Sequence, residues 1–284
     1  MSLETFIPAI WSRALLVRLH NSLVYGQPNV VNTDYEGEIS GQGSSVKVHG
    51  IGPVTVSTYT KNVDLSAPEA LTDTEVVLTI DQARSFNFQV DDIDKIQQIP
   101  KVMEGAMAEA AYALANDADA WLASQIAAQG TADGGLFGTT GSPIVPDTTT
   151  AYEMIVDAGT ALTTAKCPMD GRYIVVPPWF HGMMQKDSRF ILYTESAHQT
   201  LLNGEIGEAS GFTILQSNNV PNTDGTKYQV IFGHNMAVTL ASQINSVEAY
   251  RPPLRFADAV KGLHLFGAKV VRPTIMGTMI LNAA

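Results

Sequence analysis

Apolar residues near the start of the chain (Phe6, Ile7, Ile10, Trp11, Ala14, Leu15, Val17 and Leu19) recur at roughly helical spacing. Pro8 falls in the first turn, where proline is tolerated. The spacing predicts an amphipathic helix, followed over Tyr25–Asn32 by an aperiodic, extended connector holding Gly26 and Pro28. Residues 35–59 change character. YEGEISGQGSSVKVHGIGPVTVSTY alternates small polar and β-branched residues, punctuated by Gly37, Gly41, Gly43, Gly50 and Gly52. Val46 and Val48 alternate before the Gly50–Pro53 break; Val54, Val56 and Thr58 alternate after it. That pattern predicts a long hairpin or β loop. It has too few large apolar residues to bury itself, and a two-stranded hairpin is marginal alone in water, so it should rest on something else. The competing reading is a loose surface loop.

Strands are predicted at Val76–Ile80 and Ser85–Val90, around a DQAR turn. Ile99, Met103, Ala106, Met107, Ala110, Leu114, Ala118, Trp121, Leu122 and Ile126 then form a stripe at mostly 3- and 4-residue steps. This predicts one Ala-rich helix from Pro100 to Gln129, roughly 45 Å long at 1.5 Å per residue, stopped by Gly130. Gly105 inside it marks a close contact or a bend, since glycine costs ~1 kcal/mol against alanine there.

Residues 131–149, rich in Gly, Thr and Pro, form the best lobe boundary. A second lobe opens with Thr150 and Glu153 at capping-box spacing, ahead of a helix to about Lys166. Arg172–Val176 reads as a buried strand, and Pro177 and Pro178 seed a further helix. Strands follow at Phe212–Gln216, Tyr228–Phe232, Met236–Leu240 and Val247–Arg251. Gly262–Val271 and Thr274–Leu281 are strand-like and able to pair back with the first lobe. The pattern as a whole is α+β.

Composition narrows the function. The chain has 284 residues and is 45% hydrophobic, enough for a real core. No apolar run approaches the ~20 residues that span a bilayer, and no basic stretch precedes the first apolar segment, so a secretory signal is not expected. With 17 Lys and Arg against 28 Asp and Glu, the formal net charge is −11. Scattered cations of that number do not make a nucleic-acid-binding face. Such acidity suits a container wall that must not adhere to a polyanion inside it.

Candidate chemistry is sparse. Cys167 is the single cysteine, so neither an internal disulfide nor a thiolate-rich zinc site can form; it reads as a small apolar residue. The cluster Asp91, Asp92 and Asp94 reads as a helix-capping group or, alternatively, a hard-cation site lacking EF-hand spacing. The six histidines show no HxH or HxxxH pair. No nucleophile elbow or P-loop is present, and Gly204–Gly211, with two glutamates and no lysine, reads as a mobile surface loop. No catalytic, cofactor-binding or metal-binding residue is assigned.

The order of several segments resembles the major capsid proteins of tailed bacteriophages with the HK97 fold, especially the group related to the coat protein of phage P22. The segments are FIPAIWSRALLVRL, NTDYEGEI with GSSVKVHGIG and VTVSTY, LTIDQARSFNFQVDDID, RYIVVPPWFHGMMQKDSRF and GLHLFGAKVVRPT, together spanning nearly the whole chain. The resemblance implies an N-terminal arm over 1–34, an extended β loop over 35–59 and a peripheral lobe with the spine helix over 60–149. It further implies an axial lobe over 150–255 and a return to the peripheral lobe over 256–284. It implies a non-enzymatic homo-oligomer of hexamers and pentamers tiling an icosahedral shell around double-stranded DNA, with the extended loop lying over a neighbour. DNA would be enclosed without sequence-specific binding, a portal protein would occupy one vertex, and no membrane or cofactor is involved. The place of action is the virion, assembled in the host cytoplasm.

Some relatives carry a scaffolding segment ahead of the arm, whereas here the arm starts at once. The expectation is a separate scaffolding protein, with a processed product as the other route. Some relatives also crosslink a loop lysine to a neighbouring Asn. Lys47 and Lys61 are available, but their surroundings do not match, and no crosslink is expected. Intersubunit contact is expected at Trp11, Lys47, Gly50, Gly52, Lys61, Arg251, Arg255 and Arg272. The other readings are an encapsulin-type nanocompartment, which encloses cargo enzymes, and a soluble hydrolase or metal-dependent enzyme.

Overall fold

The computed structural model describes residues 24–33, 45–51, isolated positions between 56 and 70, and residues 73–91, 102–129, 136–187 and 207–283. The predicted helix at the start of the chain, Trp11 included, lies outside the described residues, as do Gly52, Asp92 and Asp94.

The strand β1 (Ser45–Ile51) pairs antiparallel with β2 (Asp73–Thr79), setting Val46 opposite Leu78 and Val48 opposite Val76. The extended segment therefore finds a partner beyond residue 70, and residues 52–55 and 57 of the predicted hairpin or β loop lie outside the described residues. Val56 has no strand assignment and is almost fully exposed. The longer loop brings two β-branched, alternating segments into register, and extra loop length costs little closure entropy.

β3 (Gln82–Asp91) follows β2 but pairs elsewhere. It lies antiparallel to β11 (Ala257–Val270), which also pairs with β10 (Val238–Tyr250), giving a three-stranded sheet. β10 is one strand where two were expected. Its register shifts between Ile244 and Ser246, so the polar stretch that looked like a break is a bulge inside a continuous ladder.

The spine helix α1 (Val102–Gln129) packs against β3, β11 and also β9 (Lys227–His234), bridging the two sheets. Its buried positions Ala111, Leu114, Ala115, Ala118, Leu122, Ala123, Ile126 and Ala127 form one stripe, with small residues that let the strands approach its axis. Among the described residues no helix is long and apolar enough to cross a membrane.

The second sheet runs in the order β4 (Leu136–Phe137), β12 (Met276–Asn282), β9, β5 (Arg172–Val176), β7 (Phe212–Gln216) and β6 (Glu208–Ala209). Short β8 (Asn222–Thr223) adds to β9. β5 is buried along its whole length, as a centrally placed strand should be. α2 (Thr150–Thr164) packs against α3 (Pro178–Gln185) and β12. The last strands divide between the two sheets: β11 pairs with β3, while β12 pairs with β9. Met276, Met279 and Leu281 of β12 are each 0% exposed there.

Two local readings change. Asp147 caps the start of α2: its Oδ1 accepts the Thr149 and Thr150 N–H groups at 2.8 Å each, while Thr150 Oγ1 accepts the Asp147 N–H at 2.9 Å. These bonds and the Thr149 hydroxyl hold its carboxyl below the usual carboxylate range. Within the Gly204–Gly211 stretch, Glu208 and Ala209 pair with Thr213 and Phe212 across a two-residue turn. Ser210 (φ 53°) and Gly211 (φ 78°) both take the left-handed conformation such a hairpin turn requires.

Candidate functional site

The feature that the domain core does not consume is the β1–β2 ribbon. Its root is fastened. Val46, Leu78 and Ile80 pack with Ala241 and Leu265 on the β10–β11 surface, forming a small cluster apart from the main core. Leu78 and Ile80 are 0% exposed, and burial of each such side chain stabilises the root by ~1.5–3 kcal/mol. The crossing is close: a Cβ at Gly267 would lie 2.3 Å from the Thr79 carbonyl oxygen and 2.9 Å from Ile80 Cα. Backbone meets backbone there, and only glycine admits it.

The two faces of the ribbon differ: Val48 is 9% exposed on the packed face and Val77 is 40% exposed on the other, and further along the chain Tyr59 is 71% exposed. Lys47 Nζ pairs with Glu75 Oε1 at 2.7 Å within the ribbon, so its charge serves the β1–β2 pairing. Gly50 sits opposite Thr74 in the ladder. Lys61 is exposed in a turn completed by Asn62 at φ 64°.

A second element is tied down by a buried carboxylate. Asp119 on α1 is 2% exposed. Its Oδ1 accepts the N–H groups of Val24 (2.9 Å) and Tyr25 (2.7 Å), and its Oδ2 accepts from Asn219 Nδ2 at 3.1 Å. The Tyr25–Asn32 segment, expected as an extended connector, is instead wound in turns. Val30 and Val31 both donate to the Gln27 carbonyl, and Tyr25, Val30 and Val31 are fully buried. Asn32 then bonds the start of β10, donating to Val238 O and accepting from Leu240 N. Burial pushes the Asp119 carboxyl up, against its hydrogen bonds, and burial with the Asp119 charge pushes the Tyr25 phenol well above its ordinary range.

The remaining expected contact residues are spread apart. Arg251 and Arg255 lie in the exposed turn joining β10 to β11. Arg272 precedes a short 3-10 turn before β12, its N–H donating to Ala237 O at 3.1 Å. The structure therefore groups Lys47 with Gly50 on the ribbon and Arg251 with Arg255 at the turn, and does not bring all of them together.

Ser242 Oγ and His264 Nε2 stand 2.8 Å apart across two paired strands, with His264 2% exposed. Among the described residues no group of three or more His, Cys, Asp or Glu side chains could hold a metal. Cys167 is buried, and burial raises its thiol pKa.

Sequence reasoning missed Asp119, Gly267 and the exposed Leu254 and Phe256. Asp119 carried a usable signal: it lies on the apolar stripe of α1, where a carboxylate needs buried donors. Gly267 carried none, because the segment it meets is remote in sequence.

The phage capsid protein family matches residues 49–276 of the chain. A chain from Mycobacterium phage Che8 is 32% identical over 92% of this chain and 91% of its own, with a TM-score of 0.73. The capsid structure of cyanophage P-SCSP1u aligns at 18% identity over 92% and 88%, TM-score 0.71. The mature capsid of bacteriophage PhiM1 aligns at 17% identity over 89% and 88%, TM-score 0.67. No curated protein sequence matches the chain.

Proposed function

The chain belongs to the phage capsid protein family, and from that membership we propose that it is the coat subunit of a tailed-phage shell, assembling as hexamers and pentamers into an icosahedron around double-stranded DNA. It is a structural protein of the virion, a major capsid protein with the HK97-like α+β fold.

The observation that carries the finer reading is the ribbon. Val46, Leu78 and Ile80 pack one face of it onto β10 and β11, yet Val77 on its other face, and Val56 and Tyr59 in the segment after β1, are exposed. A two-stranded ribbon covered on one face is poorly stabilised alone. A neighbouring subunit supplies the missing surface, with Lys47, Gly50, Gly52 and Lys61 along the contact and Trp11, Arg251, Arg255 and Arg272 contributing elsewhere. Charged pairs there set register more than affinity.

The net charge of −11 supports an enclosed genome that is not gripped by the wall. The division into an arm (1–34), extended loop (35–59), peripheral lobe (60–149), axial lobe (150–255) and return segment (256–284) organises this reading, with β12 assigned to the axial sheet. A separate scaffolding protein, a portal at one vertex, assembly in the host cytoplasm and a place near the P22 coat-protein group belong to the same proposal.

Negative-stain electron microscopy of the fast-sedimenting fraction tests it, on protein expressed alone and with its scaffolding partner. Closed shells of uniform size are expected. Small, homogeneous particles in both preparations would overturn the shell reading.

A further inference from the structure

Two phenols of the main core keep their hydroxyls unused. Tyr25 and Tyr173 are both 0% exposed and belong to the same cluster of buried side chains. Among the described residues neither hydroxyl has a hydrogen-bond partner. Buried side-chain polar atoms are nearly always bonded, because a stranded hydroxyl costs more than a made bond contributes.

The fold brings both rings into one layer. The Tyr25 N–H donates to Asp119 of α1 at 2.7 Å, which seats Tyr25 beside that helix. Tyr173 follows Arg172 on β5, and side chains alternate between faces along a strand. Arg172 turns towards α2, bonding the Gly159 carbonyl and the Thr163 hydroxyl, so Tyr173 turns the other way. Its partner in the ladder is Gly233 of β9. Gln229, on the same face of β9 as Gly233, donates to the Ala127 carbonyl of α1 at 3.1 Å. Tyr173 therefore faces the space between the sheet and α1, the space in which Tyr25 is seated. Burial, then the Asp119 charge and the Tyr173 phenol, push the Tyr25 phenol well above its ordinary range. Burial pushes the Tyr173 phenol up as well. Both hydroxyls stay protonated, each able to donate and to accept.

The surroundings define what completes them. Neither side chain reaches the surface, so an organic molecule has no entrance. An anion would meet the Asp119 carboxylate. A cation would need that carboxylate, but its oxygens already accept from Val24, Tyr25, Gly26 and Asn219, which fills its roughly four acceptor positions. A small neutral group that both donates and accepts remains. Water is that group, and a buried water typically makes about three bonds to otherwise unsatisfied polar atoms.

We propose that Tyr25 and Tyr173 form an internal hydration site, in which an ordered water bridges the two hydroxyls and completes the seat of the 24–33 segment. The site belongs to the free subunit and does not depend on shell assembly.

Urea unfolding of free wild-type, Y25F, Y173F and Y25F/Y173F subunits tests it. A hydroxyl with no partner gains from its removal, so phenylalanine would then be neutral or stabilising. With the bridge in place, each single variant is expected to raise the unfolding equilibrium constant about threefold to tenfold. The double variant is expected to lose no more than either single, because the first removal already breaks the bridge. Neutral or stabilising single variants overturn the site, and so do losses that simply add.

A second measurement needs no variant. In a density map of the wild-type protein fine enough to show ordered water, a peak is expected within about 3 Å of both hydroxyls. A map with no such peak overturns the site, and so does a peak that reaches one hydroxyl only.

Discussion

Asp119 and Tyr25 stand 94 positions apart in the chain and are joined by a 2.7 Å bond from the Tyr25 N–H to the Asp119 carboxylate. With the Val24 N–H on the same oxygen, this one side chain fixes where the N-terminal segment enters the domain. Asp119→Ala strands both buried donors. A loss of about 2–4 kcal/mol is expected from unsatisfied N–H groups, read as a lower urea midpoint. A loss under about 0.5 kcal/mol, the level of an ordinary surface change, would mean the anchor is dispensable.

The same carboxyl gives a pH signature. Burial raises its pKa above the ordinary 3.8, although Asn219 and the backbone donors pull the other way. The folded state therefore holds the proton to higher pH than the unfolded chain. The stability this contributes is complete below 3.8 and is lost as pH rises through the folded value. Asp119→Asn should remove that decline from the stability–pH curve. Parallel curves for the two proteins across the window would refute the assignment.

Gly267 lies where the ribbon root crosses β11. In Gly267→Val a Cβ meets the Thr79 carbonyl at 2.3 Å, and the obstruction is backbone that cannot rotate away. The ribbon must tilt or its root must lift, at a cost of about 1–3 kcal/mol. The expected result is proteolytic nicking within 52–72 and no shells, with the main core still folded by circular dichroism.

Arg172 is 3% exposed, and among the described residues it makes no ion pair. Its guanidinium donates to the carbonyls of Pro168, Gly159 and Cys167 and to the Thr163 hydroxyl, closing off the end of α2. Arg172→Ala should cost about 2–4 kcal/mol, since charge-assisted bonds are lost and buried carbonyls are left open. Arg172→Lys should recover less than half, because an ammonium cannot reproduce the planar fork. Full recovery by lysine in a denaturation series would show that charge alone matters.

Gly50 allows a separate test of the ribbon. Gly50→Leu adds bulk opposite Thr74 in the β1–β2 ladder. Free subunits are expected to melt within a few degrees of wild type (about 1 kcal/mol or less), while shell yield collapses. Normal shells would show that this part of the ribbon touches no neighbour.

What could be read from the residues alone follows a physical division. Arg172–Val176 and Phe212–Gln216 are found at the expected bounds, because short apolar runs between turn residues leave one solution. The spine helix begins and ends within two residues of its expected limits. Pairing was harder. β1 lies beside β2, and β12 joins β9, because alternation marks a strand but not its partner. The same limit hides Gly267, whose meaning depends on a crossing strand. The exposed Leu254 and Phe256 were hidden for the opposite reason. Next to strand residues they look like core, and only the turn places them outside.

β12 lies between β4 and β9, and β11 lies between β3 and β10. Neither sheet is therefore complete until residues near 270–282 have left the ribosome. Until then β9 and β3 each present an unpaired edge, so much of the chain waits for its last segments before it can close. Such long-range closure is slow. A cell making this protein in quantity holds a standing pool of chains with open strand edges, and their capture by chaperones, or by one another, competes directly with the supply of finished subunits.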